Sequence, residues 1–166
     1  MKWVTRQYVH VDRTACPWLI KRFIDSKAEF MFVPTEKIAE MVKKERAIAY
    51  DAPNVELTHH GDKCSFDAIM ERYNVKDPVL AEMAKIVRAA DTDKPQIAPE
   101  GAGLSAIMTG ISMAAKDDHE AIRNATLVYD ALYDFCKTNL IRDEHKAEIE
   151  KMDKTQVREF LRKNLK

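Results

Sequence analysis

Two imidazoles and a thiol fall within six residues in the segment Thr58-His59-His60-Gly61-Asp62-Lys63-Cys64-Ser65. Nitrogen with sulfur is a donor mix that zinc, iron, nickel and copper accept. An extended run from Val55 puts His59 on the face of Val55 and Leu57, and His60 on the face of Glu56 and Thr58. His59 is therefore the expected inward ligand, and His60 is expected to meet solvent or stand behind it. Cys64 has two readings: a metal ligand, or a small hydrophobe packed on Ile69 ahead of a helix capped by Ser65.

A second group of donors is Ala89-Ala90-Asp91-Thr92-Asp93, followed by Glu100. Carboxylates at a helix C-terminus face the negative end of its dipole, at a cost of about 0.3–1 kcal/mol each, which a nearby cation would offset. The expected metal set is His59, Cys64 and Asp91, with Asp93, Asp51 and Glu100 as further oxygen donors and zinc or iron as the ion. The competing reading of the aspartates is a water-facing turn.

A third group is built for anions. Arg6, Arg13 and Arg22 offer guanidinium forks, and the free N–H groups of a helix starting near Asp12 would add to them, so a small oxyanion is a candidate ligand. Cys16 has two readings: a reactive thiol whose pKa the helix's first turn lowers, or, more commonly for a lone cysteine, a small hydrophobe packed in the core. Arg13 and Arg22 are nine residues apart, on opposite helix faces, and Trp18, Arg22 and Asp25 share a face as a cation–π and ion-pair stack. The sequence has no GxGxxG, Walker A, GxSxG or HExxH, so nucleotide-dependent, serine-hydrolase and zincin chemistry have no motif.

These donors need a scaffold, and 166 residues suffice for one folded core. Lys plus Arg equals Asp plus Glu at 27 each, which argues against nucleic acid or an anionic membrane as partner. Three cysteines without a CxxC, no secretory leader and no long apolar run lead to a cytoplasmic expectation. All four glycines and six prolines lie at or before Gly110, so turns come first and long helices later.

Strands are expected over 3–11, 29–33 and 47–50, with 55–58 as a fourth. Helices are expected over 13–26, with Pro17 in the first turn, then 35–45, 66–73, 78–90 and 102–115, and a long central one from 117 or 118 to 140. The fold class is α+β, mostly α: a small sheet of three to four short strands packed against about six to seven helices. The domain spans 1–141, and the charged stretch 142–166 forms a helical tail on it, a candidate homodimer surface.

The runs VDRTACPWLIKRFID (11–25), FMFVP (30–34), YDAP (50–53), THHGDKCSFD (58–67), IVRAADTD (86–93) and PEGAGLSAI (99–107) resemble the C-terminal domain of the chromate-resistance protein ChrB. The resemblance runs in order from Trp3 to Cys136. It implies a role in the bacterial chromate response, in which such proteins are described as regulators sensing chromate or sulfate. DNA contact is associated with an N-terminal region of longer relatives and is not expected of this chain. No catalytic residues come with the resemblance. The leading expectation is a module that binds a transition metal or metal oxyanion; the alternative is a metal- or thiol-dependent enzyme acting on chromate or a sulfur oxyanion.

Overall fold

The computed structural model of the protein describes residues 1–92, 94 and 96–165. β1 (Lys2–Arg6), β2 (Glu29–Val33) and β3 (Ile48–Ala49) form a parallel sheet in the order β2-β1-β3. Parallel neighbours require crossovers, and these are α1 (Val11–Phe23) between β1 and β2, then α2 (Ile38–Glu45) between β2 and β3. As the central strand, β1 is buried on both faces. Trp3 points into the main core with Leu19, Tyr50 and Phe66, while Val4 joins a smaller cluster with Ile38, Ala47 and Ala52.

The first strand stops well short of the expected Val11. Tyr8 adopts a left-handed backbone, φ 62°, and the Asp118 carboxylate takes the N–H groups of Tyr8 and Val9 at 3.0 and 2.9 Å. Those amides are therefore turned away from any strand partner. The expected fourth strand reduces to one bridge, Tyr50 with Leu57, where the Asp51 N–H donates to the Leu57 carbonyl. The alternation that was to orient His59 and His60 thus has no strand to act on.

Eight helices occur among the described residues, one of them a four-residue turn. α1 begins at Val11, so Pro17 sits inside it rather than in its first turn. α3 (Ser65–Arg72) is capped by Cys64, not Ser65, and the Cys64 N–H donates to Asp67 at 3.0 Å. α4 (Pro78–Asp91) starts as expected: Pro78 opens it, and Asp77 accepts from the N–H groups of Val79 and Leu80. α5 (Glu100–Ala114) abuts the end of α4 closely. A Cβ on Gly101 would lie 2.5 Å from the Ala89 Cβ, so the absence of a side chain there fixes the end of α4 that carries Asp91.

α6 (Asp118–Glu144) packs on α1, α4 and α5 and is the central helix the sequence suggests, although Phe135 stays 41% exposed. It runs past residue 141, so the expected tail begins inside it. α7 (Lys146–Ile149) and α8 (Lys154–Leu165) then turn the chain back, burying Leu161, with α8 lying along α6. Among the described residues no helix is long and apolar enough to cross a membrane.

Candidate functional site

Asp12 in the first turn of α1, His59 in the loop after β3 and Asp91 at the end of α4 meet at one point. His59 Nε2 lies 3.3 Å from Asp12 Oδ2 and 3.0 Å from Asp91 Oδ2. One donor atom from each of the three falls within 4.8 Å of the others. Asp12 is only 1% exposed, whereas the His59 side chain is 41% exposed, so the cluster is buried on the helix side and open on the loop side.

Helix ends supply part of the support. Asp91 occupies the unfavourable end of α4, but the Asp12 N–H at the start of α1 donates to Asp91 Oδ1 at 3.2 Å. The free amides of one helix thus face the carboxylate that ends another. Similarly, the Ser65 N–H at the start of α3 donates to Asp12 Oδ2 at 2.6 Å. Asp12 Oδ1 is buried without a hydrogen-bond partner, a costly state for a carboxylate oxygen unless a cation or water meets it.

Asp51 stands beside this cluster, its Oδ1 3.7 Å from His59 Nε2. It accepts from Ser65 Oγ at 2.9 Å, from Arg6 Nη2 at 3.0 Å and from Arg13 Nη1 at 2.8 Å, and Arg6 Nε also reaches the Asp51 carbonyl. Its backbone is left-handed, φ 44°, a conformation that turns both oxygen groups toward Arg6 and that a non-glycine residue adopts at some cost. Burial works to raise its pKa, but Arg13, Ser65 and Arg6 outweigh burial and hold it below its ordinary value.

The electrostatics favour a cation. Asp12, Asp51 and Asp91, when ionised, carry three negative charges against two from Arg6 and Arg13. The hydrogen bond to Asp12 is the main force raising the His59 pKa to about 9; partial burial opposes it, and the charges of Asp12, Asp91 and Asp51 add to it. Burial, with Asp12 and Asp51 nearby, pushes Asp91 up to about 6. A protonated His59 balances the group, and a metal ion displacing that proton would serve the same purpose. One imidazole and two carboxylates form an ordinary first-row metal set, so the residues fit an ion.

Of the ligands expected from sequence, the fold brings His59 and Asp91 together, with Asp51 alongside. Cys64 and Glu100 fall outside the three-donor group among the described residues. Cys64 is fully buried; burial, then the charges of Asp12 and Asp67, push its thiol well above the ordinary range, and its place is the cap of α3. Glu100 is exposed at the start of α5, and Asp93 lies outside the described residues. His60 is exposed, with Nε2 2.7 Å from the Glu56 carbonyl.

Of the two readings of Cys16, the core residue holds and the reactive thiol is corrected: Cys16 is fully buried, and burial followed by the charge of Asp12 raises its thiol well above the ordinary range, the opposite of an activated nucleophile. Arg22 is remote from Arg6 and Arg13: its Nη2 donates to Asp130 Oδ1 at 2.7 Å, which Trp18 Nε1 also reaches at 2.8 Å. Asp25, expected in that stack, pairs instead with the N-terminal amine. Local sequence places Asp12 and Ser65 only at helix starts. The role of Asp12 depends on Ser65 and Asp91, 53 and 79 residues away in sequence, though an acidic residue immediately before Arg13 was a usable hint.

A mostly helical α+β domain with a carboxylate–imidazole cluster at converging helix ends is the class that fold and site define. Residues 3–136 match the family described as ChrB, C-terminal domain, and the chain belongs to that family. It is also similar to Protein ChrB of Cupriavidus metallidurans, 31% identical over 133 residues, covering 80% of this chain. The chain spans 40% of that protein's length. No solved structure matches.

Proposed function

We propose that this chain is a metal-binding module of the chromate response, holding a first-row divalent ion through Asp12, His59 and Asp91. The carrying observation is that three donors from three separate chain segments lie within 4.8 Å of one another. The buried, unpartnered Asp12 Oδ1 beside them adds to it. Family membership links the module to chromate; the donor chemistry links it to a metal. With two carboxylates and one imidazole, iron(II), manganese(II) or zinc suits the site better than copper(I), which favours thiolate and thioether donors.

Each residue has a part. Asp12 is the fixed donor, held by the Ser65 amide. Asp91 is held by the Asp12 amide, and His59 closes the site from the solvent side, where it must lose a proton to ligate. Arg6 and Arg13 hold Asp51 in place and offset its charge. A bound ion would keep positions open toward solvent for water or a small oxygen ligand, as metal sites with three protein donors do. The buried, protonated state of Cys16 and Cys64 gives the thiol-dependent enzyme reading no support.

Elemental analysis of protein purified without chelator tests this reading. About one equivalent of metal per chain is expected in the unmodified protein, with a loss of at least about tenfold in His59→Ala and in Asp91→Asn, since each removes a donor. Cys64→Ala, if folded by circular dichroism, retains the metal. Equally low metal in the unmodified protein and both donor variants, after growth and reloading with iron, manganese and zinc, overturns the proposal.

A further inference from the structure

We propose that two copies of this chain pair through the outer face of α5, antiparallel about a two-fold axis at the level of Met108. The chain is 33% charged, yet no charged residue lies between Glu100 and Lys116. On its inner side α5 buries Leu104 and Met108. On its outer side Gly103, Ala106, Gly110 and Met113 follow one another at helical spacing and are all exposed, with Ile107 and Ala114 along the flank. Ile107 is 49% exposed and Met113 78%. A helix that is apolar on both sides calls for cover on both.

The glycines of this face point to another helix as the cover. Gly101 is explained within the chain by its contact with Ala89, but a Cβ added at Gly103 or Gly110 would meet nothing within 4 Å, and neither has a left-handed backbone. Glycine inside a helix is less favourable than alanine because it gives up more backbone freedom on folding. Within one chain, alanine would serve better at both positions. What glycine adds is room for a neighbouring backbone or a large side chain to come close.

A second copy fits because the face is complementary to itself. Met108 points into the core, 1% exposed, so the outer face is centred opposite it. A two-fold axis through that centre sets residues equidistant from Met108 against each other, as isologous pairing requires. The exposed Met113 side chain then meets Gly103 of the second copy, and Ala106 meets its Gly110. Glu100 and Lys116, both exposed, are equidistant from Met108 as well, so each carboxylate stands at the end that carries the other copy's ammonium. Parallel pairing would instead bring the two Glu100 carboxylates together. With 15 residues, α5 is about 22 Å long. One helix pair of that length is small beside the about 1,200–2,000 Å² of a stable interface, so association is reversible, with a Kd on the order of micromolar. None of the three metal donors lies on α5, and pairing is independent of the metal reading.

The test is sedimentation equilibrium of the full chain at about 1–200 µM, with chelator and without. A reversible monomer–dimer equilibrium of equal strength in both is expected. Gly110→Leu, which fills the groove, should weaken it at least about tenfold. Gly103→Ala and Gly110→Ala separate pairing from folding: each should raise the melting temperature of dilute, monomeric protein while weakening the dimer. Glu100→Lys should also weaken the dimer, and adding Lys116→Glu should restore it. A monomer at every concentration, a species larger than a dimer, or a dimer that forms only with metal overturns the proposal. So does a dimer undiminished in Gly110→Leu, which would place the contact elsewhere, as in the charged stretch 142–166. Should Gly110→Leu fail to fold by circular dichroism, the alanine variants decide, and a dimer unchanged in both overturns the face. No rescue by the charge swap overturns the antiparallel register.

Discussion

Two arginine–aspartate groupings in this protein have the same chemistry and opposite settings. Asp51 is 5% exposed and shared by Arg6 and Arg13, whereas Asp130 is 32% exposed and its partner Arg22 is 58% exposed. The Asp51 carboxylate itself is shielded from water, and each donor is held by another element: Arg6 at the end of β1, Arg13 in α1 and Ser65 in α3. Around Asp130, water competes for both charges. The first grouping is a structural brace beside the candidate metal centre; the second is a surface pair. Burial, not residue type, makes the difference, because removing a charge from water is tolerable only when the partners are already in place.

The largest expected effect comes from breaking the brace. Asp51→Ala leaves two guanidinium groups facing each other with their carboxylate gone, and should cost about 3–5 kcal/mol in urea unfolding. A cost no larger than that of the equivalent change at Asp130 would erase the contrast. Raising salt from 0.1 to 1 M should leave the Asp51 effect nearly intact, because buried pairs are poorly screened.

A smaller effect sharpens the comparison by pH. The folded-state pKa of Asp91, about 6, lies above its ordinary 3.8, so its contribution is present in acid and is lost as pH rises through about 6. That of His59, about 9, lies above its ordinary 6.5, so its contribution is complete below about 6.5 and is lost as pH rises through about 9. Both run the same way: the metal-free protein should become less stable from pH 5 to pH 9.5. Asp91→Asn should remove the acid-side part of that slope and raise the melting temperature of metal-free protein at pH 7.5 by about 2–4 °C, the equivalent of about 1 kcal/mol. A fall in melting temperature at that pH would show that the Asp91 charge is compensated in the folded state. Metal affinity, in contrast, should rise with pH up to about 9, as the His59 proton becomes easier to displace.

The smallest effect belongs to the exposed grouping. Asp130→Asn should change stability by only about 0.2–1 kcal/mol, with the difference vanishing in high salt. A loss comparable to Asp51→Ala would mean that the Trp18–Asp130 hydrogen bond braces α1 against α6.

Legibility in the sequence follows range of interaction. The start of α4 was readable from Pro78, whose ring suits a first helical position, and Asp77 completes it by accepting from amides two and three positions on. The long α6 was readable from its apolar arc, and His59 and Asp91 from donor chemistry. The stop of β1 was not, because Asp118 captures the Tyr8 and Val9 amides from more than 100 residues away. The role of Asp12 was hidden for the same reason: a carboxylate in a first helical turn already has a local explanation.

Residue types and local spacing alone determined which groups could act as donors, which segments coil, and that one chain could hold an α+β core. Tertiary structure alone decided which donors meet. Asp12 joined His59 and Asp91 while Cys64 turned to cap a helix, and Arg22 was separated from Arg6 and Arg13. Those outcomes depend on helix ends converging and on water being excluded between them, and neither condition is encoded in any single stretch of sequence.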